Sequence, residues 1–129
     1  IRRLTIPVRV KLTRGASRTL RNILIKDKNP MVARAVLYGN ALSDSEIELI
    51  TNSRAVVEEV LEVIGQSRQW TRKYSIVHAL VRNPRTPIGL AVRLASRLAV
   101  RDLRLLQRDH NVAQAVRSTA ARLCRIKRN

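Results

Sequence analysis

Residues Tyr74–Asn111 read YSIVHALVRNPRTPIGLAVRLASRLAVRDLRLLQRDHN. Two helical patterns meet there at Asn83-Pro84-Arg85-Thr86-Pro87, and a charged corner follows at Arg108-Asp109-His110-Asn111. The residue before a proline is pushed out of the α region, so Asn83 ends one helix. Thr86 suits the N-cap of the next, and Pro87 its first position, where no N–H is needed. Ile88, Val92, Ala95, Ala99, Leu103 and Leu106 fit one unbroken helix over 87–108. The internal repeat described below favours two helices, with a break near Ala99. Either way the grammar is that of an all-α chain of stacked short helices.

Working outward, residues 1–14 carry two patterns. Leu4, Ile6, Val8, Val10 and Leu12 alternate as in a strand. Thr5 and Pro7 are helix-start residues and Gly15 is a helix stop. No later segment offers a strand to pair with, and an isolated strand leaves its backbone groups unpaired. A short helix is therefore expected. A second follows over Ala16–Lys26, with Leu20, Ile23 and Leu24 inward and Arg14, Arg18 and Arg21 opposite. Pro30 starts a third helix through Tyr38, closed at Gly39-Asn40 where a left-handed residue is expected. Ser43 and Glu46 form an S-x-x-E capping box, with Leu42 and Ile47 as its hydrophobic staple. Ser53 is expected to cap a helix carrying Val56, Val60, Val63 and Ile64, ended by Gly65. Another helix is expected over Trp70–Arg82. Asn111 is expected to cap the last one, with Val112, Val116, Ala120 and Leu123 inward, before Arg125-Ile126-Lys127-Arg128 frays.

The chain matches itself at an offset of 56: Leu42, Ile47, Leu49, Ile50, Val56 and Val60 correspond to Leu98, Leu103, Leu105, Leu106, Val112 and Val116. Two helix pairs thus share one apolar register, the mark of stacked helical repeats whose units cover one another. The expected organisation is one α-helical repeat domain over 1–129: N-terminal helices in 1–26, repeats in 27–123 and a basic tail in 124–129.

The run Asn83-Pro84-Arg85-Thr86-Pro87, with Leu90 and Leu94, resembles the N-P-x-T-P-x-x-L pattern of bacterial leucine-rich repeat variant (LRV) proteins. Asn29-Pro30-Met31-Val32, and Asn111-Val112 before Ala115-Val116-Arg117, resemble helix starts of HEAT-like repeats. The resemblance implies a curved HEAT-like or LRV-like α-solenoid, usually a binding scaffold. Some LRV proteins hold an iron–sulfur cluster on clustered cysteines; this chain has Cys124 alone, so no cofactor is implied. HEAT-like repeats also occur in alkylpurine DNA glycosylases, which use an Asp beside tryptophans. Trp70 is the one tryptophan here and has no acid near it in sequence, which speaks against that activity.

Charge points to the partner. The formal charge is +17, from 26 Lys and Arg against 9 Asp and Glu, which argues for a polyanionic partner. Between residues 35 and 67 Arg54 is the one basic residue, amid Asp44, Glu46, Glu48, Glu58, Glu59 and Glu62. Basic residues fill the blocks on either side. Arg93, Arg97, Arg101, Arg104 and Arg108 form one arginine stripe if 87–108 is a single helix, and two patches if it breaks. A guanidinium bonds two phosphate oxygens at once. Arg72 and Lys73, between Trp70 and Tyr74, would add charge and stacking beside a basic groove. These seven basic residues are the candidate nucleic-acid-binding set, contacting phosphate rather than reading bases. A protein-interaction scaffold is the alternative.

Catalytic and metal-binding patterns are not evident. His78 reads as a boundary histidine and His110 as a corner residue. No cluster of metal-ligand residues stands out, and Gly15, Gly39, Gly65 and Gly89 are isolated rather than a phosphate loop. A non-enzymatic module is expected. No apolar run reaches the ~18 residues of a membrane span. The lone cysteine suits a reducing cytoplasm. The start at Ile1 rather than Met suggests a trimmed chain.

Overall fold

The computed structural model describes residues 4–127 and is all-helical, with no strand among the described residues. The helices are α1 (Ile6–Thr13), α2 (Arg18–Leu24), α3 (Pro30–Tyr38), α4 (Asp44–Asn52), α5 (Glu58–Gln66), α6 (Tyr74–Arg82), α7 (Ile88–Ala95), α8 (Val100–Leu106) and α9 (Gln114–Lys127). A 3-10 turn at Trp70–Arg72 precedes α6, so the helix expected over Trp70–Arg82 is two elements. The break near Ala99 is real: Ala99 is extended, at ψ 153, and separates α7 from α8. Arg128 lies outside the described residues.

The first segment is a helix. Thr5 Oγ1 accepts the Val8 N–H and Pro7 sits in the first turn. Gly15 stops it at φ 65. The expectation of a left-handed residue at Gly39 does not hold, since its φ is −93. Space explains that glycine: a Cβ would lie 3.0 Å from the Ala35 oxygen and 3.3 Å from Arg14 Cα. The Gly15 N–H donates to the Gly39 oxygen at 3.2 Å, tying the ends of α1 and α3. Gly65 likewise does not end its helix. It lies inside α5, where a Cβ would come 2.4 Å from Leu90 Cδ2.

Helices joined at a corner pack together: α2 with α3, α4 with α5, α6 with α7, α8 with α9. Alternate helices pack as well: α1 on α3, α3 on α5, α4 on α6, α7 on α9. One apolar cluster runs from Leu24 to Cys124. The offset of 56 is a structural register. Ile47 and Leu103, Ile50 and Leu106, Val56 and Val112, and Val60 and Val116 are buried in both copies. Leu49 and Leu105 also correspond, but on the surface, 62% and 63% exposed.

The corners repeat too, and they correct three expected caps. Asp27, Ser53, Asn83 and Asp109 each accept, through a side-chain oxygen, the N–H two residues on, at 2.9, 3.1, 2.9 and 3.0 Å. Such a turn competes with helix capping for the same polar side chain. After Ser53, Asn83 and Asp109 the helix starts five residues later, at Glu58, Ile88 and Gln114. Ser53, Thr86 and Asn111 therefore are not N-caps. Val57 and Pro87 hold that position for α5 and α7, with no side-chain cap. The helix start expected at Pro30 holds, and Asn29 caps it, its Oδ1 accepting the Met31 N–H at 2.9 Å. Asn83 does more than turn its own corner, since its amide donates to the Thr51 and Ser53 oxygens at 2.7 and 2.8 Å. That locks the α4–α5 corner to the α6–α7 corner.

At its far end α9 buries Cys124 and stays helical to Lys127, although fraying was expected from Arg125 onward. The Lys127 ammonium donates to the Ser96 and Leu98 oxygens in the α7–α8 turn. Among the described residues no helix is long and apolar enough to cross a membrane.

Candidate nucleic-acid interface

All seven candidate residues, Arg72, Lys73, Arg93, Arg97, Arg101, Arg104 and Arg108, are exposed. The break at 96–99 divides them. Arg93 and Arg97 border a cleft between the end of α5, the 3-10 turn and the end of α7; Arg101, Arg104 and Arg108 belong to α8 and the turn after it. Of the two arrangements expected, the break gives two patches rather than one stripe. Helical spacing cannot persist through a residue in extended conformation.

The cleft has a volume of about 340 Å³ and is lined by Gln66, Arg68, Thr71, Arg93, Ser96 and Arg97 among others, with no carboxylate. Arg97 Nη1 donates to the Thr71 oxygen at 3.1 Å, which orients its guanidinium across the cleft. Arg68 is the member that sequence spacing missed. It precedes the 3-10 turn, and only the fold carries it to α7.

The other candidates are partly engaged. Lys73 Nζ lies 3.8 Å from Glu48 Oε2, and Arg101 Nε lies 3.8 Å from Asp102 Oδ1. Arg72, Arg104 and Arg108 have no carboxylate within 4 Å among the described residues. The two aromatic residues expected to add stacking are both in contact with neighbours. Trp70 is half-buried against the core. Tyr74 stacks on His78, with ring centroids 6.0 Å apart, and its hydroxyl is committed. That hydroxyl accepts the Ala99 N–H at 2.9 Å and donates to Asp102 Oδ2 at 2.5 Å. Burial, then the Asp102 hydrogen bond, raise the phenol above its ordinary range.

Two buried acids occupy one register. Glu46 and Asp102 are 56 apart, both in the first turn of their helices. Sequence reasoning gave Glu46 a return bond to its cap. Ser43 Oγ does accept the Glu46 N–H at 3.2 Å. The Glu46 carboxylate instead takes a two-pronged bond from Arg21, Nε and Nη2 each at 2.8 Å. A guanidinium fork satisfies both oxygens, which a single N–H cannot. That hydrogen bond, against the opposing effect of burial, holds the Glu46 carboxyl below its ordinary range. Asp102 takes Tyr74 instead, with His78 Nε2 3.9 Å from its other oxygen. Burial lowers the His78 pKa; Asp102 opposes that, while Arg82 and Arg101 add to it. These acids are structural partners rather than exposed ion pairs. Among the described residues no three His, Cys, Asp or Glu side chains converge as a metal site would need.

Comparisons with protein-family models, with curated proteins and with solved structures return no match to this chain.

Proposed function

We propose that the chain is a non-enzymatic α-helical repeat module, built as a HEAT-like or LRV-like solenoid, that binds DNA or RNA through the phosphate backbone. The observation that carries this reading is the cleft of Arg68, Arg93 and Arg97, which holds three guanidiniums and no acid. Guanidiniums without carboxylate partners seek another anion, and a planar fork suits phosphate oxygens. The wider charge agrees. Residues 68–129 carry fifteen Arg and Lys against two acids, Asp102 and Asp109. Of these acids, Asp102 is turned inward to Tyr74. The solenoid reading is supported by the packing of alternate helices and by the corner turns at Asp27, Ser53, Asn83 and Asp109. A buried thiol at Cys124, with no disulfide, suits the cytoplasm.

The test is equilibrium binding of fluorescent duplex DNA, single-stranded DNA and RNA over a range of salt. Backbone binding predicts weak sequence preference and a steep linear fall of log K with log salt. Absence of binding at about 150 mM salt would favour a protein scaffold. The exposed Leu49 and Leu105, at equivalent surface positions, are the feature that reading would use.

A further inference from the structure

We infer that the pocket where α4, α6 and α8 meet is a binding site for a phosphate monoester, either a small organic phosphate or the phosphorylated end of a strand. It stands apart from the arginine cleft: none of Arg68, Arg93 or Arg97 lines it. Its volume is about 240 Å³, and its lining comes from three separated stretches of chain. Arg54 arrives from the α4–α5 corner, His78 and Arg82 from α6, and Leu105 and Asp109 from α8 and the turn after it.

Arg54 is the one basic residue between 35 and 67, and the fold brings it into the same pocket as Arg82. Neither guanidinium has a carboxylate within 4 Å among the described residues, although Asp109 shares the lining. Asp109 is occupied by its corner, where it accepts the Asn111 N–H at 3.0 Å. The backbone segments that carry the two arginines are tied together from behind. The Asn83 amide ties the corner that carries Arg54 to the end of the helix that carries Arg82. His78 is placed by its stack on Tyr74 and its approach to Asp102. Backbone that is already fixed leaves only the side chains to order on binding.

The ligand class follows from these groups. Two unpaired guanidiniums match a terminal phosphate, whose charge near neutrality is about −1.5 to −2. A backbone diester carries one charge per phosphate and would use half of that capacity. The pocket is a half-open hollow walled by three separate stretches of chain, a shape that admits an end group. Leu105, 63% exposed at its edge, offers an apolar rest for the organic part of the ester.

The two histidines make a local test. In ¹H–¹³C spectra of the whole chain at about 150 mM salt, phenyl phosphate should shift the His78 signal saturably and leave His110 unmoved. Arg54→Gln and Arg82→Gln should each weaken that binding roughly tenfold or more, the loss of one charge-assisted contact. Arg93→Gln with Arg97→Gln should leave it unchanged. Leu105→Ser should weaken phenyl phosphate and spare inorganic phosphate. The wild-type protein should take methyl phenyl phosphate, a diester, roughly tenfold less tightly. Melting curves of the variants separate lost binding from lost fold. A His78 signal indifferent to phenyl phosphate overturns the inference, as does equal binding of monoester and diester or full binding by both single Arg variants. An oligonucleotide tested with and without a 5′-phosphate distinguishes the two sources. A His78 shift that requires the 5′-phosphate assigns the pocket to strand ends, and a shift with phenyl phosphate alone assigns it to free small esters.

Discussion

Tyr74 caps the helix that carries Asp102. Its hydroxyl accepts the Ala99 N–H and donates to the Asp102 carboxylate, so one oxygen joins the N-cap and third residues of α8. In a capping box those two positions are joined through their own side chains. Ala99 has no polar side chain to offer, and α6 supplies the missing group. Tyr74→Phe removes both bonds and leaves a buried carboxylate one partner short. The expected loss is about 1 kcal/mol, with the ring's packing kept. Urea denaturation of the variant beside wild type checks it; superimposed curves would mean that water replaces the hydroxyl at no cost.

Glu46 sets a different sensitivity, to acid. Its carboxyl titrates below its ordinary range in the fold because Arg21 grips it. A carboxyl lowered by folding contributes stability that is fully present above its unfolded value, about 4.3. That contribution is lost as pH falls through the lower, folded value. Glu46→Gln should therefore melt earlier than wild type at neutral pH. The gap should narrow as pH drops from about 5 towards 3. Melting temperatures measured along that range decide the point, and a constant gap would place the acid sensitivity elsewhere.

Thr86 is a polar residue in an apolar slot. Three residues after the corner positions Ser53, Asn83 and Asp109 stand Val56, Thr86 and Val112, all buried. The Thr86 hydroxyl has no hydrogen-bond partner among the described residues. Its methyl does what the valines do, and its oxygen is desolvated without compensation. Thr86→Val should stabilise the protein by roughly 1 kcal/mol. Thermal melts showing a loss instead would mean that the hydroxyl is satisfied in solution.

The corner slots also explain what the sequence did and did not disclose. The register of 56 was legible because burial selects apolar residues at fixed spacing, and Ile47/Leu103 and Val60/Val116 preserve it. The caps were less legible. Ser53, Asn83 and Asp109 are cap-type residues, but each spends its oxygen on a turn, and α5, α7 and α9 begin only afterwards. The Asn-Pro rule located the corner and not the start of α7. The break between α7 and α8 carries no Gly or Pro; Tyr74 and Lys127, distant in sequence, satisfy the backbone there. For the same reason Arg68 could not be grouped with Arg93 and Arg97, nor Arg54 with Arg82. Those groupings are made by packing between helices, which periodicity along one helix does not encode.

The division of the arginines gives the nucleic-acid reading its sharpest consequence. An unbroken stripe would present Arg93 to Arg108 to one run of phosphates. The break instead makes a cleft of Arg68, Arg93 and Arg97 and a second patch from α8 onward, where Arg104 and Arg108 have no carboxylate partner among the described residues and Arg101 lies near Asp102. If both patches engage duplex DNA with roughly five phosphates in total, log K should fall against log salt with a slope of roughly −4 to −5. Arg93→Gln with Arg97→Gln should flatten that slope by about two, and so should Arg104→Gln with Arg108→Gln. Separate patches with no shared partner should combine additively, so all four changes together should remove about four. Glu58→Gln with Glu62→Gln should not flatten the slope, because those acids sit on α5, outside both patches. This control separates specific phosphate contacts from the general pull of a chain with formal charge +17. Cleft variants that bind as wild type does at about 150 mM salt would remove Arg93 and Arg97 from the interface. Loss of slope from the α8 pair alone would then leave a smaller surface, built on Arg104 and Arg108.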